Sequence, residues 1–129
     1  MTLHLSTHTS GDVVIVDCTG KIAYCEEAAF LRGYVTGLLN QHHNIVLDLS
    51  GVTRIDSNGI GTMVGLWTLA RNSGGELKLA ALTSCAHDAF TITKLKCFFS
   101  TFETAEQAVA SFAALGEAQA GVMITAGQI

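Results

Sequence analysis

The chain of 129 residues has no proline, little charge and no long apolar run. Without proline, its turns must rely on glycine, asparagine, aspartate and serine. Charged residues make up only 14% of the sequence and the formal net charge is −4, so a nucleic-acid partner is not expected. No stretch reaches the roughly 18 apolar residues that a membrane helix needs, and no signal peptide opens the chain. We therefore expect a cytoplasmic protein without membrane insertion.

The cysteines and histidines also lack the spacing of a metal site. The four cysteines, at positions 18, 25, 85 and 97, include no CxxC pair. We interpret them as buried thiols in a reducing compartment, with one disulfide pair as the alternative. The five histidines include a single adjacent pair, at 42 and 43, which has no cysteine nearby. Neither a metal nor a cofactor is expected.

What the chain does contain is enough apolar material for one core. Hydrophobic residues make up 49% of the sequence, and its length is that of a single domain. Along the chain, segments with a strand-type pattern alternate with segments in which apolar residues recur every three to four positions, as in a helix. The predicted strands are 3–6, 13–19, 45–49, 76–81 and 98–102, and the predicted helices are 26–40, 58–72, 84–93 and 104–115.

This alternating order predicts an α/β fold with a mixed sheet of four to five strands and about four helices packed on it. Residues 1–115 would form the domain, and 116–129 would form a C-terminal tail that is either flexible or docked. Gly20 is interpreted as the end of the second strand. Gly61, in the second helix, is interpreted as a close-packing contact.

The most informative segment joins the strand 45–49 to the helix that begins at about Asn58. Eight residues, 50–57, are predicted to form a loop, and Ser57 would lie at or just before the first helical turn. A serine there is usually an N-cap, which stabilises a helix by about 1 kcal/mol. The unpaired backbone N–H groups would also bind a phosphate on Ser57, although Asp56 would repel it. Spacing alone favours the cap, and the two interpretations are compatible.

The same segment carries a family resemblance. The run from Ile45 to Gly61, IVLDLSGVTRIDSNGIG, resembles the signature of the STAS family, the anti-sigma factor antagonists. In that family an apolar strand ending in Asp-Leu-Ser leads to Asp-Ser-Ser-Gly-Leu-Gly. Other similar segments are GKI at 20–22, GGELKL at 74–79 and FETAEQA at 102–108. The resemblance extends over most of the predicted domain.

The resemblance implies a STAS-like domain that catalyses nothing and needs no cofactor. It implies binding to an anti-sigma factor that is also a serine kinase, which frees a sigma factor for transcription. Phosphorylation of Ser57, the residue directly after the aspartate, would break the complex, and a metal-dependent PP2C-type phosphatase would restore it. The implied partner-binding residues are Ile22, Ala23, Tyr24, Asp56, Ser57, Asn58, Gly59 and Ile60.

Two residues depart from the family pattern. Asn58 replaces the second serine, which leaves the phosphoacceptor in place. Ala23 stands where the family often has an aspartate at the partner surface, so the segment from Ala23 to Glu27 is expected to suit a different partner. A second interpretation is therefore a scaffold or adaptor, stressosome-like or transporter-associated, in which Ser57 is not modified. A homodimer is also left open.

Two other classes fit the sequence less well. A receiver domain needs paired acids after its first strand and a lysine late in the fold, whereas Cys18 follows Asp17, and Lys94 and Lys96 lie on a predicted helix and its exit. An enzyme with Ser57 or a cysteine as nucleophile needs a positioned base. The histidines fall on predicted turns, an edge strand and a helix distant in sequence, so we expect no enzyme.

Overall fold

The computed structural model describes residues 3–95 and 99–112, which form a five-stranded sheet with helices on both faces. The elements are β1 (Leu3–Ser10), β2 (Val13–Ile22), α1 (Tyr24–Leu39), β3 (Asn44–Ile55), α2 (Ser57–Asn72), β4 (Glu76–Ala80), α3 (Ser84–Ile92), β5 (Thr101–Phe102) and α4 (105–112). The strands lie in the order β1-β2-β3-β4-β5, with β1 antiparallel to β2 and all other neighbours parallel. The predicted α/β class and mixed sheet are confirmed.

Successive strand residues face two separate cores because side chains of a strand alternate between its two faces. Val14 and Val16 of β2 pack in the core that contains α1, α2 and α3. Val13 and Ile15 pack on the opposite face, against α4. In the part of the chain that the structure describes, no helix combines the length and apolarity needed to cross a membrane.

Strands β2 and β3 both run further than the sequence predicts. β2 continues through Gly20 to Ile22, and β3 continues past Leu49 to Ile55, so the prediction of a loop over 50–57 is wrong. The two strands keep their parallel pairing through two irregularities of register. Glycine, which indicates a strand end in the sequence, here lies at such an irregularity inside the pair. A single residue therefore separates β3 from α2.

Both helices that follow these strands begin earlier than predicted. α1 begins at Tyr24 rather than Glu26, and α2 begins at Ser57 rather than Asn58. Tyr24 has a φ of 66°, a left-handed conformation that few residues other than glycine adopt. The chain therefore turns sharply between β2 and α1, a turn that apolar periodicity does not indicate.

The glycine that packs closely in α2 is Gly59, not Gly61 as predicted. A Cβ atom on Gly59 would overlap the carbonyl oxygen of Ile22, at the end of β2. A Cβ atom on Gly61 would meet nothing within 4 Å, because this residue lies on the exposed side of the helix. The first turn of α2 thus lies against the end of β2 only because residue 59 lacks a side chain.

The two glycines form a matched pair for mutagenesis. We expect Gly59→Ala to lower the free energy of unfolding by about 1–3 kcal/mol, since the methyl group displaces backbone. Gly61→Ala should raise it by about 0.5–1 kcal/mol, since alanine is the better helix former and the space is open. Urea unfolding of both variants measures the difference, and equal effects of the two substitutions would contradict the contact with Ile22.

The described cysteines differ in exposure, and all three are free thiols. Cys18 is buried, Cys85 is half-buried and Cys25 is exposed, while Cys97 lies outside the described residues. The prediction of buried thiols is confirmed for Cys18 and is wrong for Cys25. Burial, together with the nearby charges of Asp48 and Asp17, raises the pKa of the Cys18 thiol to about 12.

This difference predicts unequal reactivity towards alkylating reagents, because the thiolate is the reactive form. We expect iodoacetamide at pH 8 to modify Cys25 in the folded protein and to leave Cys18 unmodified until urea unfolds the chain. Peptide mapping by mass spectrometry, as a function of time, gives the rate for each thiol. Equal rates at the two residues in the folded protein would show that Cys18 is not protected.

Candidate functional site

A single carboxylate holds the starts of two helices. Asp56, the residue between β3 and α2, is the N-cap of α2, and its Oδ1 atom accepts a hydrogen bond from the backbone N–H of Gly59 at 3.1 Å. Its Oδ2 atom accepts a hydrogen bond from the backbone N–H of Tyr24, the first residue of α1, at 2.8 Å. The backbone N–H of Asp56 donates to the carbonyl oxygen of Ile22 at 3.4 Å. Asp56 therefore joins the end of β2 to the first turns of α1 and α2.

These contacts set the ionisation of the carboxyl group. Burial raises the pKa of Asp56, but hydrogen bonds from the backbone of Tyr24, Gly59 and Asn58, and from the Asn58 side chain, lower it by more, so that it lies below its ordinary value of 3.8. The carboxylate is charged at neutral pH and already occupies donors of the first helical turn. This corrects the expectation that those donors would be open to a phosphate on Ser57.

Ser57 is the first residue of α2 rather than its cap. The N-cap interpretation of Ser57 is wrong because β3 ends at Ile55, which leaves Asp56 as the non-helical residue that caps the helix. The Ser57 side chain is exposed, and within residues 3–95 and 99–112 its hydroxyl group makes no hydrogen bond. A nucleophilic oxygen therefore lies at a fixed point of the backbone and is accessible from solvent.

The predicted partner-binding residues separate into two groups. The exposed ones are Tyr24, Ser57 and Asn58, and the buried ones are Ile22, Ala23, Gly59 and Ile60, with Asp56 half-buried between them. The structure brings all eight together where β2 and β3 end and α1 and α2 begin. The exposed residues form a surface, and the buried ones form its support.

A groove of about 440 Å³ lies between α1 and α2, beside Ser57. Small side chains leave this space between the two helices. The residues that line it are Cys25, Ala28, Ala29, Arg32, Ser57, Asn58, Gly61 and Thr62. The α1 side of the groove was not predicted, although small residues three to four positions apart along that helix are a readable signal. No group of three or more histidines, cysteines or acids among the described residues could hold a metal ion.

The role of Asp56 predicts a dependence of stability on pH. A carboxyl group whose pKa is lowered on folding contributes stability at pH values above its pKa in the unfolded chain. That stability is lost as the pH falls through its pKa in the folded protein. We expect Asp56→Asn to lower the free energy of unfolding at pH 7. The amide oxygen can still accept a hydrogen bond from the Gly59 N–H, but the amide NH₂ group then faces the Tyr24 N–H, and both are donors. Asp56→Ala should cost about 0.5–2 kcal/mol as a lost cap.

The measurement is urea unfolding between pH 7 and pH 2. The difference in free energy of unfolding between wild type and Asp56→Asn should shrink once the pH falls below 3.8. The carboxyl group of the unfolded wild-type chain then takes up a proton, and that of the folded protein follows at lower pH. Asp48→Asn is the control, since Asp48 lies in the middle of β3 and, among the residues that the structure describes, accepts a hydrogen bond only from the nearby N–H of Ser50, at 3.0 Å. A difference that stays constant over the whole range would rule out this role of the charge.

Comparison with known proteins shows the family to which this chain belongs. The model of the STAS domain family matches residues 4–108. The anti-sigma-B factor antagonist of Bacillus subtilis (strain 168) is 29% identical over 96 residues, which cover 74% of this chain and 87% of that protein. An anti-sigma factor antagonist from Mycobacterium paratuberculosis has the same fold, with a TM-score of 0.76, 17% identity, and coverage of 85% of this chain and 93% of that one.

The fold also matches the Bacillus cell fate determinant SpoIIAA in its phosphorylated form, with a TM-score of 0.64 and 16% identity over 85% of this chain and 98% of that one. These solved structures thus share the fold found here. Since the family model spans both the sheet and the helix start at Ser57, the chain belongs to the STAS domain family.

Proposed function

We propose that this protein is an anti-sigma factor antagonist that binds an anti-sigma factor with serine kinase activity and is released when that kinase phosphorylates Ser57. Binding would free a sigma factor and so regulate transcription. Membership of the STAS family and the named activity of the Bacillus subtilis relative support this assignment. The main structural support is the Ser57 hydroxyl group, which is exposed, without a hydrogen bond among the described residues, and fixed at the first position of α2.

The reaction needs nothing from this chain except the hydroxyl group. The Ser57 oxygen forms a bond to the γ-phosphorus of ATP, the bond between that phosphorus and ADP breaks, and a base of the kinase takes the hydroxyl proton. Because β3 is paired along its length with β2, the acceptor oxygen lies on a rigid support. A PP2C-type phosphatase would hydrolyse the phosphoserine and return the chain to its binding form.

The physical effect of the phosphate follows from Asp56. A phosphoserine carries a charge of about −1.5 to −2 at neutral pH. It would stand next to a carboxylate that is already ionised and hydrogen-bonded to the helix start, so the phosphate is repelled from those donors and projects towards solvent. The modification would thus change the charge of the binding surface without displacing either helix.

The test is incubation with the purified anti-sigma factor kinase of the native host, Mg²⁺ and ATP. We expect one phosphate per chain, located at Ser57 by peptide mapping, and none in Ser57→Ala. Ser73→Ala is the matched control, since Ser73 is an exposed serine at the opposite end of the same helix. Because Ser57 is not the cap, Ser57→Ala should change the free energy of unfolding by less than about 0.5 kcal/mol.

Binding to the same kinase completes the test. Ser57→Ala should bind as the wild type does, and Ser57→Asp should bind more weakly, by calorimetry in the presence of ADP. Equal affinities would contradict the switch and favour the unmodified adaptor. A phosphate found at another residue while Ser57 remains unmodified would contradict the assignment of the site.

A further inference from the structure

Two cationic side chains lie next to each other at the ends of β2 and β3. Lys21 and Arg54 are partners in the register of this parallel pair, so their side chains leave the sheet on the same face, and both are exposed. Like charges directly opposite each other on neighbouring strands are destabilising. Neither residue forms an ion pair with any acid among the described residues. Within the described residues no acid offsets these two charges by an ion pair, although the net charge of the chain is −4.

An exposed tyrosine completes this surface. The guanidinium carbon of Arg54 lies 5.9 Å from the centre of the Tyr24 ring, a distance typical of a cation–π contact. Tyr24 is 52% exposed although its backbone is held in a left-handed conformation. Its N–H group is bound by Asp56 at 2.8 Å, so the ring projects from a fixed backbone. Tyrosine and arginine are the residue types most enriched at energetically important positions of protein interfaces.

The surface formed by Lys21, Tyr24 and Arg54, the cationic patch, lies beside the phosphorylation site. Arg54 precedes Asp56 by two residues in the strand that leads directly to Ser57. Backbone N–H groups bind both oxygens of the Asp56 carboxylate, which forms no ion pair with Lys21 or Arg54 among the described residues. Glu26, on the first turn of α1, is exposed and forms no ion pair in the described structure.

We propose that the cationic patch binds an acidic surface of the kinase that acts on Ser57. The identity of the partner rests on the proposed function, whereas the chemistry of its surface follows from the charges described here. Unpaired cations on an acidic protein attract a carboxylate-bearing partner and orient its approach. The tyrosine ring supplies an apolar contact that persists once the water between the two proteins is displaced.

This arrangement also gives phosphorylation a route to release the partner. A phosphate on Ser57 adds negative charge beside the two cations and so weakens the potential that attracts the partner's carboxylates. It would also repel those carboxylates directly. Both effects are electrostatic and need no movement of α1 or α2.

The experiment measures association of the purified anti-sigma factor kinase with charge-reversal variants by stopped-flow fluorescence at low and high salt. We expect Lys21→Glu and Arg54→Glu each to slow association about tenfold at low salt, with the difference shrinking as salt is added. Lys94→Glu is the control with the same change of charge. It is an exposed residue that follows α3 and does not lie at the ends of β2 and β3. Its association rate should change less than twofold.

Two further variants separate the ring from the charge. Tyr24→Ala should speed dissociation about fivefold or more, while Tyr24→Phe, which keeps the ring, should not. Thermal unfolding checks the fold, and Lys21→Glu should melt no lower than wild type, because it replaces a repulsion with an attraction. If incubation with the kinase and ATP leaves Ser57 of the wild-type chain without phosphate, the proposed function itself is refuted. If the kinase phosphorylates Ser57 but Lys21→Glu and Arg54→Glu associate with it as fast as Lys94→Glu does, only the proposal of the cationic patch is refuted.

Discussion

The pair of hydrogen bonds accepted by Asp56 determines the geometry of the whole site. One oxygen accepts from the third residue of α2 and the other from the first residue of α1, so a single carboxylate fixes two helix starts relative to the strands that precede them. The close approach of Gly59 to Ile22 depends on the same arrangement. The left-handed backbone of Tyr24 also depends on it, since a strained conformation persists only where its surroundings hold it.

Because Asp56 is the cap, the Ser57 hydroxyl group is not needed to hold the helix start and makes no hydrogen bond among the described residues. The residue that stabilises the helix start and the residue proposed to be modified are therefore different, one position apart. A serine that capped the helix would lose that role on accepting a phosphate, and the helix start would reorganise. Here the donors of the first turn already have a permanent anionic partner. Under the proposed function, phosphorylation of Ser57 would therefore change the charge of the site while its shape is kept, as a reversible binding switch requires.

The sequence predicts the fold class and the order of the elements because both depend on local periodicity. The β-branched run that begins Val13–Ile22 and the three- to four-residue spacing within α1 are visible without knowledge of tertiary contacts. The position of Ser57 at a helix start is predicted for the same reason. Identifying Asp56 rather than Ser57 as the cap would have required the true end of β3. That end is determined by pairing with β2, more than thirty residues earlier in the chain.

The remaining errors share this non-local cause. Gly59 and Gly61 are equivalent in the sequence, and only the carbonyl oxygen of Ile22 distinguishes them. The environment of Lys78 is also non-local: the residue is buried beneath α4, where its ammonium group donates to Ser111 at 2.7 Å and lies 4.0 Å from the ring centre of Phe112. Desolvation lowers the pKa of Lys78 there. Helix α4 thus determines the environment of Lys78, and no pattern within the strand contains that information.

The basic residues differ in whether the fold itself provides a contact for their charge. Arg71 pairs with Glu76 at 3.4 Å and lies over the Trp67 ring, and Lys78 is covered by α4, so both are satisfied within the fold. Lys21 and Arg54 stand in register at the strand ends and form no ion pair with an acid in the described structure. Folding gains nothing from placing two like charges in register. In the proposed complex a partner that supplies carboxylates would gain from it, and a phosphate added at Ser57 would act on the same charges.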